Sequence, residues 1–402
     1  MRHIVFVAPF PFPTTLRFAR ALAALDDVRL TAVFQSPPPN GRGFADVETV
    51  GNALDPAAVK AAITRLAARH GRVHRVLGIL EDVQECLATV REELGLPGVD
   101  VATARRFRDK GVMKDALRAA GLPCARHARI RSAEDAWAFV EAVGYPIVIK
   151  PPAGAGCRST LRADHPQGLV EALEELRPGP QREAIAEEFL TGAEFSFETL
   201  TLGGKVHFHS IGRYHPAPLE VMTNSWIQWV VHLPRDISGP EFAAVRDVGP
   251  RVISALGLQT ALTHMEWFRR PDGSVAVGEI AARPPGARIM DLMSHAHDRD
   301  FYDVWARLMV DDVVAGPFER THSVAVAFLR GQGAGRVAAV EGLAAAQAKM
   351  GHLVVDKQLP RVGAPRAQGY EGEGWVIVKH EDDAVVRKAV MDLITTVRVR
   401  YA

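Results

Sequence analysis

The sequence predicts an α/β protein in which a doubly wound sheet precedes a compact α+β unit and a strand-rich core. Three patterns support this prediction: a βαβ beginning, alternating strands and helices over residues 125–189, and hairpin-linked strands from about 194 to 280. Continuous apolar runs are typical of strands buried on both faces of a parallel sheet, whereas apolar residues at helical spacing indicate amphipathic helices.

We place the first lobe at residues 1–103, and it begins with a strand from Ile4 to Ala8. Further strands are predicted at 29–34 and 73–79, and helices at 14–24, 56–70 and 83–94. The Pro/Gly/Asn cluster at 36–43 is predicted to be a loop. Such alternation indicates helices on both faces of a parallel sheet.

A second domain is predicted at 104–320, opening with one helix over 104–120. Its α+β unit at about 125–189 could move as a lid. That unit has predicted strands at 126–131, 146–150 and 184–188 and helices at 133–143 and 167–176, with Ser132 as the N-cap of the first helix. Strands at 195–202, 205–214, 263–269 and 275–280 and helices at 239–256 and 298–310 complete the domain.

The remaining residues, 321–402, are predicted to form a separate α/β cap. Strands at 323–328 and 375–379 and a helix at 382–394 support this prediction.

Composition and charge are those of an ordinary globular protein. Of 402 residues, 48% are hydrophobic and 24% are charged, and Lys plus Arg (48) nearly balance Asp plus Glu (47). This balance provides no global field that would favour nucleic acid or an anionic membrane surface. We therefore expect no nucleic-acid partner and no membrane partner, and any anionic ligand must be held by a local site.

Cysteine usage favours a reducing compartment. Cys86, Cys124 and Cys157 are widely spaced and form neither a CxxC pair nor a secreted disulfide pattern. The N-terminal apolar run stops at prolines without the features of a signal peptide, and no run of about 18 uncharged apolar residues follows. We expect a cytoplasmic protein.

Two lysines stand where they could hold a polyphosphate. Lys150 ends a predicted strand and precedes a small-residue loop that includes Gly154, Gly156 and Ser159, and such a loop offers backbone N–H groups to phosphate oxygens. Lys110 lies on the helix that leads into the lid. Judged singly, each lysine could instead be solvated, and the loop is not a Walker A sequence.

The segment AIAEEFL at 184–190 is predicted to present a strand end to a nucleotide base. Backbone groups at such an end can bind an adenine edge, and a nearby carboxylate such as Glu194 can accept hydrogen bonds from ribose hydroxyls. The alternative is an edge strand with solvated glutamates.

Glu266 and Glu279 are the candidate metal ligands. If Asp272-Gly273 is a two-residue hairpin turn, these glutamates lie directly opposite each other on one face of the sheet. Paired carboxylates repel unless a cation lies between them, and oxygen ligands suit Mg²⁺. Just beyond them, Arg283 could neutralise a substrate carboxylate or developing phosphoryl charge. The alternative is a pair of solvated strand glutamates.

Taken in order, these motifs resemble the ATP-grasp superfamily over nearly the whole chain: Asp109-Lys110, Lys150 with its loop, EEFL with GAE, HMEWF with GEI, and AARPPGAR. The resemblance implies an ATP-grasp fold with a Rossmann-like pre-ATP-grasp lobe and a C-terminal α/β cap. It implies ATP and Mg²⁺ as cofactors, with Mn²⁺ as an alternative ion. It assigns Lys110, Lys150, Gly154, Gly156, Ser159, Glu187, Glu188, Phe189, Leu190 and Glu194 to the nucleotide, Glu266 and Glu279 to the metal, and Lys150 and Arg283 to catalysis.

The implied activity is ATP-dependent ligation of a small carboxylate to an amine, giving an amide or peptide bond through an acyl phosphate. The AARPPG stretch is similar to that of L-amino-acid (dipeptide) ligases, whereas the RLQVEH stretch of biotin carboxylases is absent. Many family members carry Asn where this chain has Ala281, which leaves the number of metal ions open. Biotin-carboxylase-like carboxylation and a nucleotide-binding regulator remain as alternative functions. Assembly into a homodimer is a separate expectation.

Glu81, at the end of a predicted strand, is either an amine-recognising group or a solvated loop acid. The sequence does not assign a general base among His207, His209, His215 and His264.

Overall fold

A computed structural model describes residues 1–38, 41, 43–154, 159–224 and 226–402, whose strands form four sheets. The strands are β1 (Arg2–Ala8), β2 (Val28–Phe34), β3 (Val47–Thr49), β4 (Val73–Leu77), β5 (His127–Ile130), β6 (Ile147–Lys150), β7 (Leu161–Ala163), β8 (Ala184–Glu188), β9 (Ala193–Leu202), β10 (Lys205–His215), β11 (Trp229–Leu233), β12 (Ala261–Arg269), β13 (Val275–Ala281), β14 (Ser323–Leu329), β15 (Gly331–Gln332), β16 (Val337–Glu341), β17 (Val354–Gln358), β18 (Gly374–His380) and β19 (Arg398–Tyr401).

The helices are α1 (Pro13–Ala23), α2 (Pro56–His70), α3 (Gln84–Leu94), α4 (Val101–Arg108), α5 (Lys110–Ala119), α6 (Ala133–Val143), α7 (Pro166–Leu176), α8 (Pro218–Thr223), α9 (Ala243–Leu256), α10 (Ile289–Ala296), α11 (Phe301–Asp311), α12 (Leu343–Met350) and α13 (Asp383–Thr396). Short 3-10 helices cover Glu81–Val83, Pro240–Phe242 and Gly351–Leu353. The mixture of parallel and antiparallel sheets with covering helices confirms the predicted α/β class. Among the described residues, no helix is long and apolar enough to cross a membrane.

The first sheet is parallel, with the strand order β3-β2-β1-β4. Residues Ile4 to Ala8 of β1 are fully buried because α1 packs on one face of the sheet and α2 and α3 pack on the other. The predicted doubly wound arrangement is thus confirmed. The short strand β3 was not predicted.

The chain breaks where one helix was predicted over 104–120. Helices α4 and α5 meet at Asp109, whose backbone is extended and whose Oδ1 accepts hydrogen bonds from the N–H groups of Gly111 and Val112, both at 2.9 Å. The single-helix prediction is therefore wrong. Asp109 caps α5, and Lys110 becomes the first residue of a new helix rather than an interior one.

The α+β unit contains an antiparallel sheet in the order β5-β8-β6-β7, with α6 and α7 packed against it. The side chain of Ser132 accepts a hydrogen bond from the N–H of Asp135, which confirms the predicted N-cap. Strand β7 was not predicted. It follows the glycine-rich loop and pairs with β6, which carries Lys150 at its end.

The largest sheet has eight strands in the order β13-β12-β9-β10-β11-β14-β18-β17, and its neighbouring strands run antiparallel. Helices α5 and α9 pack on one face, and α10 and α11 pack on the other, together with residues of the first lobe. Strands β14, β17 and β18 of the C-terminal segment continue this sheet. The domain boundary at 320/321 stays a prediction, because one sheet runs across it.

Several predicted helix bounds shift by a few residues, and short elements were missed. The helix predicted at 239–256 begins at Ala243, after a 3-10 turn, and the one predicted at 298–310 begins at Phe301. The missed elements of the second half are α8, α10, α12, β11, β15, β16, β17 and β19. Each has eight residues or fewer, too short to show a clear period.

We expect Asp109→Ala to lower the free energy of unfolding by about 1–2 kcal/mol, because it removes the N-cap of α5. It also removes an ion pair in which Arg129 Nη2 lies 2.7 Å from Asp109 Oδ1. Urea unfolding followed by circular dichroism measures this change. Asp115→Ala on the same helix is the control, since that side chain is 70% exposed; equal losses in the two variants would contradict the capping role.

Candidate functional site

One cleft lies where the α+β unit, the large sheet and the residues that follow β4 meet. It encloses about 1020 Å³, counting its solvent-filled mouth. Its walls include most of the predicted site residues: Lys110, Lys150, Gly154, Glu187, Glu188, Phe189, Leu190, Glu194, Glu266, Glu279 and Arg283. Ser159 is exposed and does not line the cleft, and Gly156 lies outside the described residues. The structure thus brings the predicted residues together, while their roles stay predictions.

The strand end at AIAEEFL is an inner part of the α+β unit. Strand β8 lies between β5 and β6, and Glu187 is 5% exposed, so the alternative of an edge strand with solvated glutamates is wrong. The Glu187 carboxylate lies 2.9 Å from Lys150 Nζ through Oε2. A buried carboxylate is tolerated here because a cation on the neighbouring strand pairs with it.

Lys114 also reaches Glu187, although sequence reasoning gave it no role. Its side chain is fully buried, its Nζ lies 3.5 Å from Glu187 Oε1, and it donates a 2.5 Å hydrogen bond to the carbonyl oxygen of Gly278. Burial lowers the pKa of Lys114, while Glu187 opposes that shift. One signal was available, since Lys114 follows Lys110 by four residues and therefore shares its helix face.

The two candidate metal ligands face each other across a hairpin. Glu266 on β12 pairs directly with Glu279 on β13, so the predicted pairing is confirmed. The predicted two-residue turn is wrong, because Arg270 and Ser274 bond across a longer turn. A bulge between β12 and β13 at Gly278 compensates for this difference and restores the pairing of the glutamates.

The carboxylates of the cleft differ in their electrostatic surroundings. Burial raises the pKa of Glu279, but Lys110 and Lys150 outweigh burial and hold that pKa at about 2. Lys110 Nζ lies 2.9 Å from Glu279 Oε1 and donates a 3.1 Å hydrogen bond to the carbonyl oxygen of Gly154. Burial and the adjacent Glu266 raise the pKa of Glu194 well above its usual value. Negative charge is therefore crowded on the Glu194 and Glu266 side of the cleft.

His264 neutralises part of this charge. Its Nδ1 lies 2.9 Å from Glu198 Oε1, and its Nε2 lies 3.8 Å from Glu266 Oε1. Burial lowers the pKa of His264, but the hydrogen bond to Glu198 and the negative charges of Glu198 and Glu266 outweigh it and raise the pKa to about 9. An imidazole that is protonated at neutral pH cannot accept a proton, which agrees with leaving His264 out as a general base.

Arg283 is held in the cleft by Glu81. The Glu81 carboxylate is 7% exposed and lies between two guanidinium groups, with Arg283 Nη2 at 2.8 Å and Arg108 Nη1 at 2.8 Å. Burial lowers the pKa of Arg283, and Glu81 reverses that shift and raises it. The alternative of a solvated loop acid is therefore wrong for Glu81, which instead fixes the position of Arg283.

The position occupied by Asn in many ATP-grasp proteins is apolar here. Ala281 lines the cleft and pairs across the hairpin with His264, so it offers no oxygen ligand. Among the described residues, no group of three or more His, Cys, Asp or Glu side chains could hold a metal ion by itself. The paired carboxylates of Glu266 and Glu279 therefore remain the candidate metal ligands of the cleft.

Comparison with known proteins identifies the domain that carries this cleft. Residues 115–290 match the model of the ATP-grasp domain. Over 206 residues, which are 50% of this chain and 49% of the relative, the sequence is 31% identical to an L-arginine-specific L-amino acid ligase of Bacillus subtilis. The chain thus spans about half the length of the curated relatives it matches.

Solved structures agree over the full length. The L-amino acid ligase of Bacillus licheniformis superposes with a TM-score of 0.82 and 20% identity, covering 100% of this chain and 99% of that protein. The N5-carboxyaminoimidazole ribonucleotide synthetase of Thermotoga maritima gives a TM-score of 0.73 with 17% identity, and both chains are covered completely (100% each). The chain accordingly contains an ATP-grasp domain at residues 115–290 and has the ATP-grasp fold over its whole length.

Proposed function

We propose that this protein is an ATP-dependent carboxylate-amine ligase that joins amino-acid-like substrates through an acyl phosphate. One observation carries the proposal: a single cleft holds two lysines, a facing pair of glutamates and a fixed arginine. Each of these groups matches a different requirement of carboxylate activation by ATP. The similarity to L-amino acid ligases supports the same activity.

The cationic side of the cleft suits the phosphates of ATP. Lys110 and Lys150 come from different elements, the start of α5 and the end of β6, and both face the cleft. In the proposed complex they bind the α and β phosphates, and the loop that begins at Gly154 covers the β and γ phosphates. The backbone of Glu188 and Leu190 would bind adenine, and Glu194 would bind the ribose.

The facing glutamates fit a magnesium ion that arrives with the nucleotide. Glu266 and Glu279 are paired across the hairpin, and carboxylate oxygens are the ligands that Mg²⁺ prefers. Mg²⁺ usually keeps phosphate and water oxygens among its ligands, so two carboxylates from the protein are enough to hold it. Bound there, the ion would offset negative charge on the phosphates.

The proposed reaction has two steps, activation of the carboxylate by ATP and attack of the amine on the acyl phosphate. A carboxylate oxygen attacks the γ phosphorus, the bond to the β-γ bridging oxygen breaks, and ADP leaves with that oxygen. The amine then attacks the acyl carbon, phosphate leaves with the electron pair of the C–O bond, and the amine loses a proton. Lys150 and Arg283 would stabilise negative charge on the transferred phosphoryl group and on the substrate carboxylate.

The acyl phosphate must be protected from water between these steps. The α+β unit covers one side of the cleft with Lys150, Pro151 and Gly154. We propose that this unit, at about 125–189, is a lid that closes over the bound nucleotide. Closure would exclude water and bring Lys150 onto the phosphates at the same time.

We also propose a cytoplasmic location for the enzyme. Cys86 and Cys124 are free thiols, which fits action in the reducing cytoplasm. A homodimer stays a prediction that light scattering tests.

Lys150→Ala should lower ADP formation that depends on both a carboxylate and an amine by roughly 100-fold, because it removes a fixed charge from the transferring phosphate. A coupled ADP assay measures the rate, and circular dichroism checks the fold. Lys205→Ala, at the exposed start of β10, is the matched control and should keep the full rate. Full turnover by the Lys150 variant would overturn its assignment.

Glu279→Gln keeps the size of the side chain but removes its charge. We expect the Mg²⁺ concentration that gives half-maximal ADP formation to rise at least roughly tenfold, since one of two anionic ligands is lost. Glu341→Gln is the control, because that side chain is 53% exposed and pairs with Arg400. An unchanged Mg²⁺ dependence in the Glu279 variant would exclude it as a metal ligand.

A screen of amino-acid pairs for ADP release, with mass detection of the product, tests the ligase itself. The proposal predicts a condensation product 18 Da lighter than the sum of the two substrates, as loss of one water requires, and roughly one ADP per product. Turnover supported only by bicarbonate would favour carboxylation instead. ATP binding without turnover for any pair would favour a regulator.

A further inference from the structure

A second cavity, which we call the edge crevice, opens beside strand β10. It encloses about 1220 Å³, counting its mouth, and shares no lining residue with the cleft. Its walls include Phe208, His209, Arg246, His297, Phe318 and Arg320. None of these residues is used by the proposed reaction.

The crevice forms because the large sheet splits along β10. Strand β10 pairs with β9 from Lys205 to Arg213, but it pairs with β11 only over Arg213–His215. Next to its unpaired half, the segments that contain Ile237 and Phe318 pass without joining the sheet. An opening beside a strand edge exposes polar backbone groups that need partners.

The lining of the crevice carries positive charge without an acid. Arg246 and Arg320 line it with three histidines, and no Asp or Glu is among the described residues of its walls. Arg246 donates hydrogen bonds to the carbonyl oxygens of Ile237 and Gly239. Arg320 Nη2 donates to Ser210 Oγ at 2.8 Å. Within the described residues, neither arginine has a carboxylate within ion-pair distance.

Arg320 lacks partners that a buried guanidinium normally has. Its Nε and Nη1 atoms are buried and make no hydrogen bond in the described part of the chain. Burial lowers the pKa of Arg320 to about 10, and Glu198 and Asp383 only partly oppose this shift. A buried charge that lacks a paired counter-charge is unfavourable, so the crevice is suited to an anion.

Two of the histidines are held back from protonation by their surroundings. Burial lowers the pKa of His209, and the nearby Arg320 and Arg246 lower it further. Burial and Arg320 likewise lower the pKa of His297 to about 4. The two arginines therefore supply positive charge that does not depend on these two histidines.

One wall of the crevice is aromatic. The rings of Phe208 and Phe318 lie 4.9 Å apart between centroids, and the ring of Phe301 packs beside Phe208 at 5.1 Å. A ligand that contacts this wall gains from burying an apolar surface. A simple inorganic anion would leave the aromatic wall in contact with water.

We propose that the edge crevice is a binding site for a small organic anion with an aromatic or aliphatic body. Its carboxylate or similar group is held by Arg246 and Arg320, and its apolar body lies against Phe208 and Phe318. Guanidinium groups bind carboxylates through parallel charge-assisted hydrogen bonds, and this supplies the affinity.

Isothermal titration of the 402-residue chain with benzoate tests the site, and benzyl alcohol serves as an uncharged aromatic probe of similar size. Benzoate should bind, and benzyl alcohol should bind at least roughly tenfold more weakly, because it lacks the charge that the arginines hold. Equal binding of the two probes would overturn the proposal.

Variants then locate the bound benzoate. Arg320→Gln should weaken benzoate binding at least roughly tenfold, and Arg246→Gln should weaken it in the same direction. The control is Arg283→Gln, which removes the guanidinium of the other cleft and should leave this binding unchanged. Loss of binding in the Arg283 variant alone would place benzoate in the cleft and overturn the proposal. Circular dichroism checks each fold, and Arg246→Gln decides the test if Arg320→Gln does not fold.

Discussion

The crowding of three carboxylates on one face of the large sheet is the constraint on which the cleft depends. The register of β9, β12 and β13 places Glu194 beside Phe268 and sets Glu266 opposite Glu279. Neighbouring carboxylates repel one another, so keeping all three ionised costs free energy. The structure compensates these charges unevenly. Lys110 pairs with Glu279, whereas within the described residues Glu194 forms no ion pair and its pKa is raised. A cation that arrives with a polyphosphate would complete this balance.

The lysines that compensate the charge of these carboxylates come from elements that are distant in the sequence. Lys110 is placed by the break at Asp109, since the cap starts α5 at this residue and directs it toward the cleft. Lys150 is placed by the end of β6, where it pairs with Glu187 of the neighbouring strand. If the α+β unit moves as a lid, Lys150 moves with it. The balance of charge in the cleft then depends on the position of the lid.

Local patterns allowed part of this arrangement to be predicted. The pairing of Glu266 with Glu279 depends on a hairpin of short span, so it followed from sequence even though the longer turn and the Gly278 bulge did not. The contact of Glu81 with Arg283 spans 202 positions, and no local pattern encodes it. Lys114 had one local signal, its four-residue spacing from Lys110, but its contact with Glu187 joins distant segments and was not predicted. Periodicity indicates elements, but it does not indicate which buried charges meet.

The cleft and the edge crevice are joined through the large sheet. Arg320 donates a hydrogen bond to Ser210, which pairs across the sheet with Glu198, and Glu198 holds His264 next to Glu266. The charge of Glu198 already acts on Arg320. An anion bound to Arg320 would weaken the attraction between Glu198 and Arg320. The negative charge of Glu198 would then be compensated to a greater extent by His264. If the binding of magnesium and nucleotide at Glu266 also alters protonated His264, the cleft and the edge crevice are coupled. A ligand in one site then changes the affinity of the other site for its ligand, and the factor is the same in both directions because linkage is reciprocal.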